Sequence, residues 1–191
     1  GTGYKRRPDQ IRRIDNHGEI RIVLGITPRG TVLPFGPWSG NSWNEISEAI
    51  MPGSADEKPL AKVLVSDGEP QLAECLARLA NSAQRCHWHM VHQLDYKMWK
   101  DGAAKDDRRQ MQKLLAGTIG IELPAEDVET VSEIDKLELE IRARDAQEEI
   151  EKLIRQFRVR GYKKAAEYID NAKSKLFTYI HFWLSCGLVS P

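Results

Sequence analysis

The chain has 191 residues, of which 41% are hydrophobic and 29% charged, a composition typical of a globular protein rather than a disordered or fibrous one. Basic and acidic residues balance at 28 each, so the net charge gives no argument for a polyanionic partner. A membrane span is not expected, because no apolar run reaches the roughly 18 to 20 residues that it requires. No signal-peptide pattern opens the sequence and its three cysteines are scattered, so we expect a protein of the reducing cytoplasm.

The charges are unevenly distributed along the chain. Residues 4–13 and 152–175 are mainly basic, whereas residues 122–151 are mainly acidic. Such runs are commonly solvated helix faces, but basic stretches also provide surfaces that can contact nucleic-acid phosphates. The charge pattern alone leaves both interpretations open.

The first half of the chain has the pattern of strands separated by short helices. β-branched residues near alternate positions predict a strand over 18–26, and a second strand over 31–35 follows across a hairpin-like connection. Ser42 and Glu45 have the capping-box spacing, which predicts a helix over 43–51. The pattern further predicts a strand over 62–65, a helix over 71–80 and a strand over 83–90.

From Asp95 onward the periodicity is helical. The capping-box spacing of Thr130 and Glu133 predicts the start of a long helix that ends at Gly161, and a second apolar stripe from Tyr162 to Trp183 follows it. We therefore expect two antiparallel helices joined at Gly161. The apolar stripe of the first helix comprises Ile134, Leu137, Ile141, Ala146, Ile150, Leu153 and Phe157.

Asp67 is the first candidate for chemistry. It follows directly after the predicted strand 62–65 and Ser66, and a helix follows Asp67 and Gly68. In open α/β sheets, ligands bind at the carboxyl ends of strands, and a carboxylate there is well placed to ligate a hard divalent cation. Asp-Gly is also a common turn dipeptide, so turn formation explains the pair equally well.

Cys86 and His89 are the second candidate. Their C-x-x-H spacing would allow both side chains to contact one zinc ion. His87 and His92 could complete such a site, although strand alternation would place His87 on the face opposite Cys86. A closed zinc site needs four ligands, and a lone Cys and His are more often packed and hydrogen-bonded than bound to metal.

The tryptophans allow two interpretations. Stacking on nucleic-acid bases is one use of exposed tryptophan side chains, and packing in a core or an interface is the more common one. The residues concerned are Trp38, Trp43, Trp99 and Trp183.

The order of these features resembles the catalytic domain of Mutator-type insertion-sequence transposases. Strands and a helix precede a strand that ends in Asp67-Gly68, and about eighteen residues later comes Gln84-Arg85-Cys86-x-x-His89, followed by a helical block. These transposases are DDE enzymes with an RNase H-like fold. Asp67 matches their second catalytic acid, and Cys86 and His89 match a Cys-x-x-His pair. The resemblance covers residues 1–95 by motif, and residues 95–185 only in being helical.

The resemblance implies an α/β fold in which an RNase H-like mixed sheet with flanking helices, over 1–94, precedes an all-α insertion over 95–191. Asp67 would be a catalytic acid and a ligand of Mg²⁺ or Mn²⁺, two of which such a site holds. The partner would be DNA, both transposon ends and target, and the protein would act as a homo-oligomer near the nucleoid. Phosphate contacts are expected from Lys5, Arg6, Arg7, Arg12, Arg13, Lys163 and Lys164.

Two departures from the family pattern shape the functional expectation. The family's first acid would stand immediately before Gly1, and the third, a Glu, has no match before Pro191. We therefore expect the chain to be a fragment of a transposase, and this fragment to be inactive by itself. The alternative is a catalytically inactive RNase H-like module that binds nucleic acid or protein. A further alternative is an oligomerisation element with structural zinc at Cys86 and His89.

Overall fold

A computed structural model describes residues 20–27, 31–51, 59–125 and 128–187. These ranges contain both strands and helices, which confirms the mixed α/β class. In chain order the elements are β1 (Ile20–Ile26), β2 (Val32–Ser39), α1 (Trp43–Ile50), β3 (Ala61–Ser66), α2 (Pro70–Cys75), β4 (Ala80–Arg85), α3 (His87–Lys100), α4 (Lys105–Ile119), α5 (Glu133–Val159), α6 (Lys163–Asp170) and α7 (Thr178–Cys186).

Strands β1 and β2 form the predicted antiparallel hairpin. Ile20 pairs with Ser39 and Ile26 with Val32, and the register shifts between Arg21 and Val23. The side chains of β1 alternate between exposed and half-buried, as expected of a strand that packs on one face. The connection at 28–30 lies outside the described residues.

Helix α1 begins at the predicted capping box. The Ser42 backbone N–H donates to Glu45 Oε2 at 2.6 Å, and the Glu45 N–H donates to Ser42 Oγ at 3.3 Å. The two bonds satisfy backbone donors that the first helical turn leaves without partners. The helix buries Trp43 and Ile46 against Leu76 and Leu79, which makes a small core beneath the strands.

Strands β3 and β4 form a parallel pair in which Ala61 lies opposite Ala80 and Ser66 opposite Arg85. The predicted strand over 62–65 is therefore confirmed. The helix predicted over 71–80 is shorter, since α2 ends at Cys75 and a single 3₁₀ turn, Ala77–Leu79, leads into β4. The parallel pairing brings the carboxyl ends of both strands to one edge, where Asp67 and Cys86 follow.

The strand predicted over 83–90 is wrong in its second half. Strand β4 ends at Arg85, and α3 begins at His87. The reason is the four-residue repeat of Met90, Leu94 and Met98, all fully buried in the helical core, which extends the helical pattern back beyond Asp95. The boundary placed between residues 94 and 95 falls inside α3, and the division into two domains stays a prediction.

The long helix α5 and the turn at Gly161 follow the prediction, with two corrections. The N-cap is Ser132, whose Oγ accepts from the Asp135 N–H at 3.2 Å, instead of the predicted pair Thr130 and Glu133. The predicted apolar stripe is buried from Ala146 onward, but three residues nearer the start of the helix are more than a third exposed, because the buried face there carries Leu139 and Ala143. The three are Ile134, Leu137 and Ile141.

The second predicted stripe is not one helix. It divides into α6, a 3₁₀ turn at Lys173–Lys175, and α7. Gly161 has a φ of +80°, and α6 packs back on α5 after this turn. Helices α3 to α7 share one hydrophobic core around Phe157. No helix in the described ranges is long and apolar enough to cross a bilayer.

The described strands form two sheets of two strands each. An α/β architecture with a large helical part is thus present. The single mixed sheet of an RNase H-like fold stays a prediction.

Candidate functional site

Asp67 lies at the carboxyl end of β3, where the sequence predicted it, and its side chain is half-buried. The Glu69 backbone N–H donates to Asp67 Oδ1 at 3.0 Å, an Asx turn that fixes the direction of the carboxylate. Glu69 in turn accepts from the Trp43 indole at 3.0 Å. The strand end is thereby tied to α1, and the carboxylate sits on a supported loop.

Arg85 places a cation beside this loop. It ends β4, opposite Ser66 in the parallel register, and only 8% of its surface is exposed. Its guanidinium lies over Gly68, where a Cβ atom would come within 0.6 Å of Nη1. Gly68 also has a φ of +84°, which L side chains rarely adopt. The backbone conformation at residue 68 therefore favours glycine, and a side chain there would also displace the Arg85 guanidinium.

Tyr168 brings the helical part of the chain to the same place. Its ring, on α6, stacks against the Arg85 guanidinium with 5.4 Å between the guanidinium carbon and the ring centroid. Its hydroxyl donates to the His89 carbonyl at 3.2 Å. Burial raises the pKa of Tyr168, the charge of Asp67 acts in the same direction, and the Arg85 cation opposes both. The candidate site thus joins the parallel strands with α3 and α6.

Cys86 and His89 lie in the first turn of α3. Cys86 is the N-cap residue, its N–H donates to the Ser66 carbonyl at 2.8 Å, and its carbonyl accepts from the Met90 N–H at 3.0 Å. The predicted strand alternation is wrong here, since a helical turn places residues three apart on one side. Cys86 forms no disulfide, and His89 Nδ1 is buried without a hydrogen-bond partner.

Neither metal prediction is decided by these positions. Among the described residues there is no group of three or more His, Cys, Asp or Glu side chains that could hold a metal ion. A carboxylate oxygen suits Mg²⁺ or Mn²⁺, and a thiolate with an imidazole suits zinc, but both need further ligands. The magnesium or manganese at Asp67 and the less favoured zinc at Cys86 and His89 stay predictions.

A buried polar cluster fastens α7 to β4 next to the site. The Gln84 side chain accepts from the Tyr179 N–H at 3.0 Å and donates to the Leu176 carbonyl at 3.0 Å. His87 Nε2 donates to the same carbonyl at 2.7 Å. Thr178 Oγ1 donates to the Ala83 carbonyl at 2.9 Å. We call Gln84, His87 and Thr178 the docking cluster, because their side chains connect the sheet to the helical core.

The docking cluster makes stability depend on pH through His87. Burial lowers the pKa of His87 from 6.5, and the hydrogen bond to the Leu176 carbonyl partly opposes this. The unfolded chain therefore binds a proton more readily than the folded one. We expect the stabilising contribution of neutral His87 to be complete above pH 6.5 and to be lost as the pH falls below it.

Urea unfolding at pH 7.5 and pH 5.5 tests this dependence. The wild-type chain should lose more of its free energy of unfolding at the lower pH than His87→Asn, which has no titratable group at this position. Equal losses in the two proteins would contradict the expected pKa direction.

The predicted phosphate-binding residues divide into two groups. Lys5, Arg6, Arg7, Arg12 and Arg13 lie outside the described residues. Lys163 and Lys164 are exposed at the start of α6, and Lys164 Nζ donates to the Lys100 carbonyl at 3.3 Å. The structure therefore places Lys164 beside the end of α3.

The tryptophans also differ from one another. Trp43 and Trp183 are buried, as core packing predicted, and the indole of the half-buried Trp38 donates to the Phe35 carbonyl at 2.9 Å. Trp99 is 58% exposed and does not belong to either core.

Sequence reasoning assigned no role to three residues that the structure brings to the site. Arg85 and Gln84 belong to the motif that contains Cys86, and their position in a strand parallel to β3 could have indicated their nearness to Asp67. Tyr168 is about 100 residues away from Asp67 in the sequence. Only tertiary packing brings it there, and no local pattern indicates it.

Comparison with known proteins adds no family to this description. No protein-family model, curated protein or solved structure gives a significant match to the chain.

Proposed function

We propose that this chain carries part of the catalytic centre of a DDE-type transposase, in which Asp67 is one of the acids that hold divalent ions for DNA strand cleavage and transfer. The single observation that carries the proposal is the position of Asp67 at the carboxyl end of a parallel strand, beside the end of the neighbouring strand. This edge is where α/β sheets bind ligands.

The surroundings of Asp67 favour a site that acts on a phosphodiester. The Asx turn holds the carboxylate in one direction before any ion binds, which reduces the ordering that binding would require. Arg85 supplies a nearby buried cation with a planar donor set that matches phosphate oxygens. The Asp67 carboxylate could bind a divalent metal ion, and the Arg85 guanidinium could bind a phosphate oxygen. Both are needed in a site that acts on a phosphodiester.

The chemistry needs more acids than Asp67. Two divalent ions would activate the attacking water or 3′-hydroxyl and stabilise the leaving oxygen. Mg²⁺ keeps several of its waters and binds weakly to one carboxylate. The described residues offer no larger ligand group, so we place the other acids at positions outside the described ranges. Asp67 would then be essential but insufficient.

We extend the proposal to the substrate and the assembly of the protein. DNA of transposon ends and targets would be the substrate, with Lys163 and Lys164 contacting phosphates, and the protein would act as a homo-oligomer in the nucleoid. Phosphate contacts of this kind give an affinity that falls steeply with salt.

The test is cleavage of a labelled oligonucleotide duplex in Mg²⁺ or Mn²⁺ by the longest native polypeptide that contains these 191 residues. Asp67→Asn should reduce the cleavage rate by on the order of 10³-fold or more, because it removes a metal-ligating charge. The matched control Asp145→Asn changes an exposed acid of α5 and should leave the rate unchanged. Wild-type protein without cleavage, but with DNA affinity, would favour the inactive binding module instead.

A further inference from the structure

Helix α3 carries a row of exposed aromatic side chains along one face. The exposed fraction is 64% for Trp88, 49% for Tyr96 and 58% for Trp99, and His92 between them is also exposed. The opposite face is buried through Met90, Leu94 and Met98. We call these four exposed residues the aromatic stripe. It runs along the helix for about 16 Å, at the helical rise of about 1.5 Å per residue.

The rings of the stripe are already arranged in stacks. Trp88 and His92 have centroids 4.7 Å apart and planes at 13°, and Tyr96 and Trp99 have centroids 5.8 Å apart and planes at 20°. Each pair thus presents flat apolar surface to solvent instead of to the core. Aromatic platforms of this kind bind unstacked nucleic-acid bases without sequence preference.

Lysines accompany the stripe. Lys100 Nζ lies 4.4 Å from the centre of the Tyr96 ring. The pKa of Tyr96 is lowered by its hydrogen bond with Lys100, and the charges of Lys97 and Lys164 act in the same direction. Within the described residues, none of these lysines forms an ion pair with a carboxylate. The surface therefore combines exposed aromatic rings with lysines that form no ion pair in the described residues. This combination is complementary to a single nucleic-acid strand with exposed bases and phosphates.

Helix α3, which carries the stripe, also contacts the side chains beside Asp67. Lys97 Nζ lies 5.5 Å from the centre of the Tyr168 ring, and the same ring contacts Arg85, whose guanidinium covers Gly68. Tyr168 thus lies between the cation next to Asp67 and a lysine next to the stripe.

We propose that the aromatic stripe of α3 binds single-stranded DNA, with bases stacked on the Trp88–His92 and Tyr96–Trp99 pairs and phosphates contacted by Lys97, Lys100 and Lys164. This inference rests on the proposed function for its choice of DNA. The inference adds to the proposed function a surface that binds an unpaired DNA strand near Asp67.

The test is fluorescence anisotropy with a labelled oligo-dT strand and with a duplex of equal length, both in EDTA. Binding without metal separates this test from the cleavage assay, so the stripe can fail or succeed whether or not Asp67 is catalytic. Trp88→Ala and Trp99→Ala should each weaken single-strand binding by on the order of tenfold, with a much smaller effect on the duplex. Trp88→Phe should retain most of the affinity, because a ring remains.

Two further variants complete the design. Ile134→Ala removes an exposed apolar side chain from α5 and should leave the affinity unchanged. Lys100→Gln should reduce the slope of log affinity against log salt by roughly 0.7 if the lysine contacts a phosphate. Melting temperatures verify that each variant is folded.

Three results would overturn the proposal. The first is no binding of oligo-dT by the wild-type chain, and the second is unchanged single-strand affinity in Trp88→Ala and Trp99→Ala. The third is that the wild-type chain self-associates in sedimentation velocity, and that the tryptophan variants lose this self-association but keep their DNA affinity. The stripe would then be a protein interface.

Discussion

Replacing Gly68 by alanine is expected to lower the free energy of unfolding by about 3 kcal/mol. Part of the loss is backbone strain, because a non-glycine residue at a φ of +84° costs about 1–2 kcal/mol. The rest is displacement of Arg85, whose Nη1 lies within 0.6 Å of the new Cβ position. The guanidinium would have to leave its contacts with Tyr168 and with Met90 Sδ.

A double-mutant cycle separates the two contributions. In an Arg85→Met background, Gly68→Ala should cost only the backbone strain of about 1–2 kcal/mol, as measured by urea unfolding. Gly117→Ala is the matched control, since Gly117 lies in α4 with open space at its Cβ position, and alanine there should be neutral or slightly stabilising. Equal costs of Gly68→Ala in both backgrounds would mean that Arg85 does not occupy the space above Gly68.

Replacing Gln84 by leucine is expected to have a similar effect, again about 3 kcal/mol, because buried polar groups lose their partners. The Gln84 side chain is 4% exposed and accepts the Tyr179 N–H, one of the donors that the first turn of α7 leaves unpaired. It also donates to the Leu176 carbonyl, which would lose this bond and keep the one from His87.

Two measurements check this prediction. Urea unfolding should show the loss for Gln84→Leu, whereas Gln156→Leu, an exposed glutamine of α5, should change the stability by less than about 0.5 kcal/mol. Hydrogen exchange should show the Tyr179 amide losing protection first. Retained protection at Tyr179 would show that Gln84 does not hold α7 on the sheet.

The elements that sequence predicts best are those with local signals. The capping box of Ser42 and Glu45, the alternation over β1 and the carboxylate after β3 all depend on neighbouring residues, and each is found where it was expected. Such signals arise from backbone geometry and need no knowledge of tertiary contacts.

Where sequence reasoning was wrong, tertiary packing decided the outcome. The residues after Arg85 are compatible with strand or helix, and burial of Met90 in the helical core favours the helix. Along α5, the apolar residues Leu137 and Leu139 compete for the core, and only the position of the neighbouring helices selects Leu139. Periodicity alone cannot rank two overlapping apolar faces.

The candidate site was also predictable only in part. Asp67 and Gly68 were found from a strand-end dipeptide, which is a local pattern. The nearness of Arg85 depends on the parallel pairing of β3 with β4, and that of Tyr168 on the packing of α6. The sequence thus indicates the acid, and only the fold shows the cation and the ring beside it.

The most direct test of the central proposal is anomalous diffraction from Mn²⁺-soaked crystals of the longest native polypeptide that contains these 191 residues, because Asp67 alone would hold the ion weakly. We expect an anomalous peak within coordination distance of the Asp67 carboxylate, and no such peak in Asp67→Asn crystals soaked identically. A manganese peak that persists in the variant, or manganese found only at other acids, would contradict the assignment of Asp67 as a metal-ligating residue.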